Sequence, residues 1–472
     1  MRVLTALVLA VAVAGAAGRA AADDVHVDAD TSFQAYEVRS PGTAALMTRR
    51  RLVQTLGATW SRELSGGDRG EGTRPRIDAS FRLRLDQDFG DTCLLSRDIC
   101  VRATDAREPA VYQPLASDTD IDAPEAWVGV TGLPMSTSLR AGRQLRFDPA
   151  GMVRFDGARA RFAPLAWLSA EAWGGAVVRR TSLAGSPAFE PEGAIRIDLT
   201  DEGVDPSAVP FVAEPTVTWT AGAALALGHP RWVQGRIGFR ETFEEAGLVA
   251  RRGWVDLASG PASWLRLAAT GVLDPTDGAL VDASGRVTVR PVRRLDLEVA
   301  VERHLPRFDQ GTVWAYFDLV PIHELRLAAR FRPSARVELG AAVRGRRADF
   351  GGDRGHEQDV GGEGRARVRL GAFRFGAEAF VWGGDLGPVA AFAVDLERPL
   401  GRWLRLRGRA SVWHFDDPLR AGLYGTSVSE AAGLALRLSE VTEVVVELEH
   451  AHSRVVGHRF RGLAALHVEV WR

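Results

Sequence analysis

The sequence predicts an all-β fold, a single closed antiparallel transmembrane β-barrel of about 22 strands, with about 18–20 as the smaller alternative. Three observations predict it. From residue 31 onward, stretches of about ten residues alternate apolar and polar and recur roughly every 20 residues, the spacing of spanning strands joined by turns. At the N-terminus, Arg2, the small apolar run Val3–Ala17 and Ala20-Ala21-Ala22 before Asp23 have the layout of a removable export signal. After residue 22 no run of 18 apolar residues occurs, which excludes helical spans. A closed barrel then remains as the structure that pairs every backbone group in lipid.

The first segments, Thr31–Arg39 and Leu52–Arg62, alternate weakly. Ile77, Ala79, Phe81, Leu83 and Leu85 share a face opposite Arg82, Arg84 and Asp86. A polar insert from Phe89 to Ile121 follows, then Trp127–Thr131, Leu139–Phe147 and Phe155–Phe162, the last with Arg159 and Arg161 on its polar side. Leu168, Ala170 and Ala172 oppose Glu171, and a second insert runs from Val178 to Pro215. Beyond it the meander is regular. Val217–Leu227 has one apolar face, and Ile237 and Phe239 oppose Arg236 and Arg240. Short strands around Val255, Leu265 and Val287 lead to Leu295–Val301, which opposes Asp296, Glu298 and Glu302. Leu325, Leu327 and Phe331 oppose Arg326 and Arg330, and Val337, Leu339 and Val343 oppose Glu338. Ala366, Val368 and Leu370 oppose Arg365, Arg367 and Arg369, while Phe373, Phe375 and Val381 oppose Arg374 and Glu378. Phe392, Val394 and Leu396 oppose Asp395 and Glu397. The clearest copy is Trp403–His414, with Leu404, Leu406, Ala410 and Val412 opposite Arg405, Arg407, Arg409 and Ser411. Leu434–Leu438, bearing Arg437, then Val444–Leu448 opposite Glu447 and Glu449, and finally Leu466–Val470 complete the count.

This walk divides the chain into an export signal (1–22), a short periplasmic tail (23–30) and a barrel (31–472) with long extracellular loops near 89–121 and 178–215. Both inserts fall on one side of the meander. Short turns at Ala163-Pro164-Leu165, His229-Pro230, Gly260-Pro261 and Gly401-Arg402 fall on the other. Because few residues of the mature chain precede the first strand, no N-terminal plug is expected. The partners this organisation implies are outer-membrane lipid, the barrel-assembly machinery and small polar or anionic solutes.

All 59 basic residues are arginine, and they nearly cancel 60 acidic ones, so no bulk basic field for nucleic acid exists. Alternation turns the charged faces named above toward the lumen. There they can pair across strands, at ~0.2–1 kcal/mol each, or form ladders that guide anions. No catalytic residues are expected: His414 near Asp416 and Asp417 is the nearest approach to a reactive pair, and its place at a strand end reads as a turn. No cofactor motif occurs. His450 and His452, read as an H-x-H pair with no carboxylate partner, give a weak zinc signal, so no metal is expected.

Ala141–Phe162 reads AGRQLRFDPAGMVRFDGARARF. This GRQ strand, loop and FDGARARF strand resembles the bacterial outer-membrane porin and alginate-export group of barrels, directly over these residues and loosely from Glu125 to Trp173. The resemblance implies a pore without catalytic residues. Two functional classes follow: a channel, passive or weakly anion-selective, for passage or export of small solutes, and a structural or adhesive barrel occluded by its own inserts.

Cys93 and Cys100 lie in the first insert of an exported chain and read as a disulfide closing a small loop. Such a loop gains ~2–3 kcal/mol. Mass spectrometry of non-reduced peptides is expected to show Cys93 linked to Cys100; two free thiols would contradict the pairing.

Overall fold

The computed structural model describes residues 23–39, 46–64, 74–88, 119–178, 217–229, 232–245, 247–276, 278–305, 320–352, 355–385, 387–416, 424–453 and 457–471. Twenty-two strands form one antiparallel sheet. They are β1 (Asp23–Arg39), β2 (Leu46–Glu63), β3 (Arg76–Asp88), β4 (Thr119–Leu133), β5 (Thr137–Asp148), β6 (Gly151–Leu165), β7 (Leu168–Val177) and β8 (Trp219–His229). Next come β9 (Val233–Glu244), β10 (Gly247–Ala262), β11 (Leu265–Asp274), β12 (Ala279–Val292), β13 (Leu295–His304), β14 (Ile322–Ser334) and β15 (Val337–Gly351). The last are β16 (Gly355–Leu370), β17 (Phe373–Gly384), β18 (Val389–Leu400), β19 (Leu404–Asp416), β20 (Tyr424–Arg437), β21 (Thr442–Ser453) and β22 (Gly457–Trp471). Each strand pairs with its chain neighbours, and β1 pairs with β22 from His26↔Trp471 to Tyr36↔Arg461, which closes the barrel.

Two boundaries differ from the sequence reading. β1 begins at Asp23 rather than Thr31, so residues 23–30 are wall and not a tail. Its leading stretch, DDVHVDAD, does alternate, but its polar face is acidic and its apolar residues are small, which hides the strand. Thr119–Ile121, placed in the insert, likewise begins β4. The rest of both inserts, with Cys93 and Cys100, lies outside the described residues.

Two of the four expected turns, at Pro164 and Pro261, sit later than expected, while Gly401-Arg402 reverses the chain where it was expected to. Pro164, Pro261 and Pro291 fall inside strand ends, and Pro333 does the same in β14. At each the register slips by one residue, because proline brings no N–H to the ladder. The residue before three of these prolines turns its own N–H to the opposite neighbour: Gly260 donates to Trp232 O, Arg290 to Trp264 O and Arg332 to Arg294 O. The reversal itself follows at Ala166-Trp167, Ser263-Trp264, Arg293-Arg294 and Ala335-Arg336. These short connections share one end of the barrel with Asp23 and Trp471; the two longest connections, β3–β4 and β7–β8, lie at the other, the loop end.

Which face is inside follows from the contacts. Arg326 on β14 reaches both Glu298 on β13, at 2.7 Å, and Glu363 on β16, two strands away. Such convergence occurs on a concave side. The other parity, including Leu225, Ile237, Leu325, Leu327, Val343, Val381, Leu406 and Leu448, stands exposed around the outside. An apolar belt on this scale is far larger than the patches soluble monomers expose, and it matches a hydrocarbon solvent.

Leu406 and Arg407 test the two faces on one strand. Arginine on a barrel's lipid face near midplane costs ~2–4 kcal/mol, so Leu406→Arg should cut the yield of assembled barrel severely and Arg407→Leu only slightly. Equal loss of assembled protein in membrane extracts would reverse the assignment of faces.

Candidate functional site: the charged lumen

The lumen wall is a field of arginines and carboxylates whose pairing depends on small residues between them. Neighbouring strands run ~4.8 Å apart, so an arginine can cross a whole strand if that strand presents no bulk. Arg82, Gly57 and Asp28 lie in one register row over β3, β2 and β1, and Arg82 reaches across Gly57 to Asp28 at 3.3 Å. β20 turns Ser429, Ala431, Gly433 and Ala435 inward, and over it Arg405 meets Glu443 at 3.0 Å and Arg409 meets Glu447 at 3.6 Å. Arg326 reaches Glu363 diagonally across β15, where its register partner Arg344 contacts the same carboxylate.

The remaining expected wall charges fall on the same concave face. Arg84 holds Asp86 at 3.2 Å, and Arg159 holds Glu171 at 2.9 Å. Glu338 collects Arg330 at 3.8 Å, Arg332 at 3.1 Å and Arg365 at 3.8 Å. Glu397 joins Arg374 at 2.8 Å and Arg407 at 3.8 Å, and Glu449 pairs with Arg461. Glu378 faces Arg365 and Asp395 faces Arg409 in register, without forming ion pairs. Arg236 lies over the Trp254 ring at 5.4 Å. Arg161, Arg367 and Arg369 share the inward parity and have no carboxylate partner among the described residues. Arg437 departs from the ladder: it donates to Ser439 O and Glu440 O and ties the β20–β21 turn.

Four inward tryptophans form a feature the sequence reading missed. Trp127, Trp173, Trp254 and Trp382 stand in register with Gly142, Gly222, Gly238 and Gly361 on adjacent strands. At Gly222, Gly238 and Gly361 a Cβ would collide with the indole. Arginine covers each ring: Arg140 over Trp127 at 4.1 Å, Arg146 over Trp173 at 3.5 Å, Arg236 over Trp254 and Arg346 over Trp382 at 5.0 Å. A cation over an indole contributes ~0.5–2 kcal/mol, more as water is excluded. The legible signal was a glycine on one strand aligned with a tryptophan on the next, which needs the register to be seen.

The tip of the β5–β6 hairpin leans over the inner wall. Arg240 on β9 donates to Ala150 O at 2.6 Å and Gly151 O at 3.0 Å and contacts the fully buried Asp148 carboxylate at 3.2 Å. Beneath it Phe155, Val153, Trp173, Trp254, Val272 and Val281 form a buried apolar cluster. A pocket of about 700 Å³ opens along β11–β17. Seven arginines line it (Arg266, Arg290, Arg326, Arg330, Arg332, Arg344 and Arg365) against Asp296, Glu298, Glu363 and Glu378. Of these, Arg344 and Glu363 come from stretches where glycine or doubled arginine blurs the alternation, while Arg266 sits in a plain alternation between Leu265 and Leu267.

No family model and no curated protein matches the chain. Among solved structures it is similar to OccAB4 of Acinetobacter baumannii (9% identity, TM-score 0.45, covering 96% of this chain and 99% of that one). It is similar also to OpdQ of Pseudomonas aeruginosa (10%, 0.45, 95% and 99%) and to a BenF-like porin of Pseudomonas fluorescens Pf-5 (8%, 0.46, 95% and 99%).

The tryptophan stacks make a paired prediction. A side chain at Gly238 would displace Trp254 from the buried cluster, whereas one at Gly253 meets open space. Gly238→Val is expected to lower stability by ~1–3 kcal/mol, the usual cost of overpacking, and Gly253→Val to be near neutral. Thermal unfolding followed by circular dichroism separates them; equal midpoints would refute the stacking.

Proposed function

We propose that the chain is an outer-membrane channel for small polar solutes with a mild preference for anions, delivered by a removable signal at residues 1–22. The apolar belt supports the membrane placement, since it costs least against hydrocarbon. The observation that carries the preference is the arginine excess of the lumenal pocket, seven against four carboxylates, with Arg367 and Arg369 on the adjoining wall forming no ion pair among the described residues. Guanidinium groups stay charged at any physiological pH, are weakly hydrated and bind carboxylate or phosphate through a planar fork. Rings of like charge set selectivity in channels. The local likeness to alginate-export barrels, carried by the β5–β6 hairpin, supports export of anionic solutes as the direction of transport.

The test is the reversal potential of the reconstituted protein in a salt gradient. Arg367→Glu and Arg369→Glu should shift it clearly toward cation preference, and Arg405→Glu, Arg407→Glu and Arg409→Glu should shift it less, because those arginines already form ion pairs with carboxylates. An unchanged potential in all five would make the arginines wall structure and remove the selectivity.

A further inference from the structure

On the outer surface, three residues from the end of β21, the structure assembles a group of side chains that the channel does not use. His450 and His452 alternate onto the outward face of β21, the parity of the exposed Leu448. His458 on β22 stands directly opposite His452 in the register. Glu430 on β20 stands opposite His450. Four residues from three strands therefore meet on one patch at the loop end, and because the neighbouring Glu449 faces the lumen, the carboxylate on this face comes from the preceding strand.

The contacts are those of a chelating pair held by an outer carboxylate. His450 Nδ1 lies 3.0 Å from Glu430 Oε1, and His450 Nε2 lies 3.0 Å from His458 Nδ1. A carboxylate accepting from Nδ1–H fixes the tautomer, leaving Nε2 with its lone pair free and raising its basicity, as metal-bound histidines are commonly supported. That lone pair faces a second imidazole nitrogen. Two nitrogens bound tetrahedrally to one zinc at ~2.0–2.1 Å stand ~3.3 Å apart, so a metal between them needs a shift of a few tenths of an ångström. The Phe460 ring stacks on His450 at 4.7 Å and restrains it, and the His452 ring centre is 4.3 Å from that of His458. As the side chains stand, no three donors among the described residues surround one point. His452 is exposed, and a rotamer change of such a side chain is fast and inexpensive.

We propose that His450 and His458, with His452 as third ligand and Glu430 as the carboxylate that orients His450, form a binding site for a borderline-soft divalent metal, Zn²⁺ or Cu²⁺. Imidazole suits both ions, and affinity follows the order Cu²⁺ over Zn²⁺. Bound there, the ion would clip β21 to β22 at the loop-end rim and, through Glu430, tie both to β20.

Cu²⁺ titrated into the purified, folded full-length protein without a histidine tag tests the site, read by electron paramagnetic resonance and calorimetry. The expected result is one strong site per chain whose spectrum carries nitrogen splittings from at least two imidazoles. His450→Ala and His458→Ala should each weaken binding at least tenfold and remove one nitrogen from the splitting pattern. Glu430→Gln should weaken it by ~10–100-fold, the usual effect of losing an outer-shell partner, with the nitrogen splittings retained. His414→Ala, on the same face but bonded to Thr426, should change nothing. Absence of binding to the wild type, or unaltered affinity and spectrum in the His450→Ala/His458→Ala double variant with normal circular dichroism, would overturn the proposal.

Discussion

Pairing of the first strand with the last is the constraint on which the remaining structure depends. An open sheet of this width would present two edges of unmet N–H and C=O groups, each costing several kcal/mol in hydrocarbon. β1 and β22 remove both edges, and at the turn end side chains reinforce the seam: His26 stacks on Trp471 at 3.9 Å, and His467 contacts Asp30 at 2.5 Å. Once the ring is closed, every strand has one face in and one face out, and the period-2 pattern must choose its solvent on each. Closure thus converts a local alternation into an apolar exterior and a charged interior.

Closure also sets what the interior can hold. A wall carrying long charged side chains on every strand would crowd itself. At β20, and at Gly57 of β2, a stretch bearing glycine, alanine or serine on this face lies between strands that bear charge. Arg405 and Arg409 lean over β20, and Arg82 leans over Gly57, so the carboxylates they meet lie two strands away. Flattened arginines leave the axis clearer than upright ones. The tryptophan–glycine rows follow the same logic, laying a large ring flat against the wall under a guanidinium.

The strands were legible because lipid and lumen impose opposite chemistry on adjacent residues, and Leu404–Val412 shows it in undiluted form. The starts of β1 and β4 were not, since DDVHVDAD and TDIDAP have too few large apolar residues to mark a face. Turn positions were misread by two or three residues because Pro164 and Pro261 signal a ladder break, which here precedes the reversal. In the lumen, Arg326 and Glu338 were readable from their own strands. Glu363, between Gly362 and Gly364, acquires its role from Arg326 and Arg344, both distant in sequence. Arg437 was misjudged because the carbonyls of its own turn capture it before the lumen does. Partners two strands apart follow from the register, which no single segment encodes.

The proposed channel requires a continuous water path, and the most direct measurement of that is single-channel recording of the purified protein in a planar bilayer. The account predicts discrete, uniform current steps whose size grows with salt concentration. A barrel that inserts, as judged by protection of its strands from added protease, yet gives no current steps would contradict it.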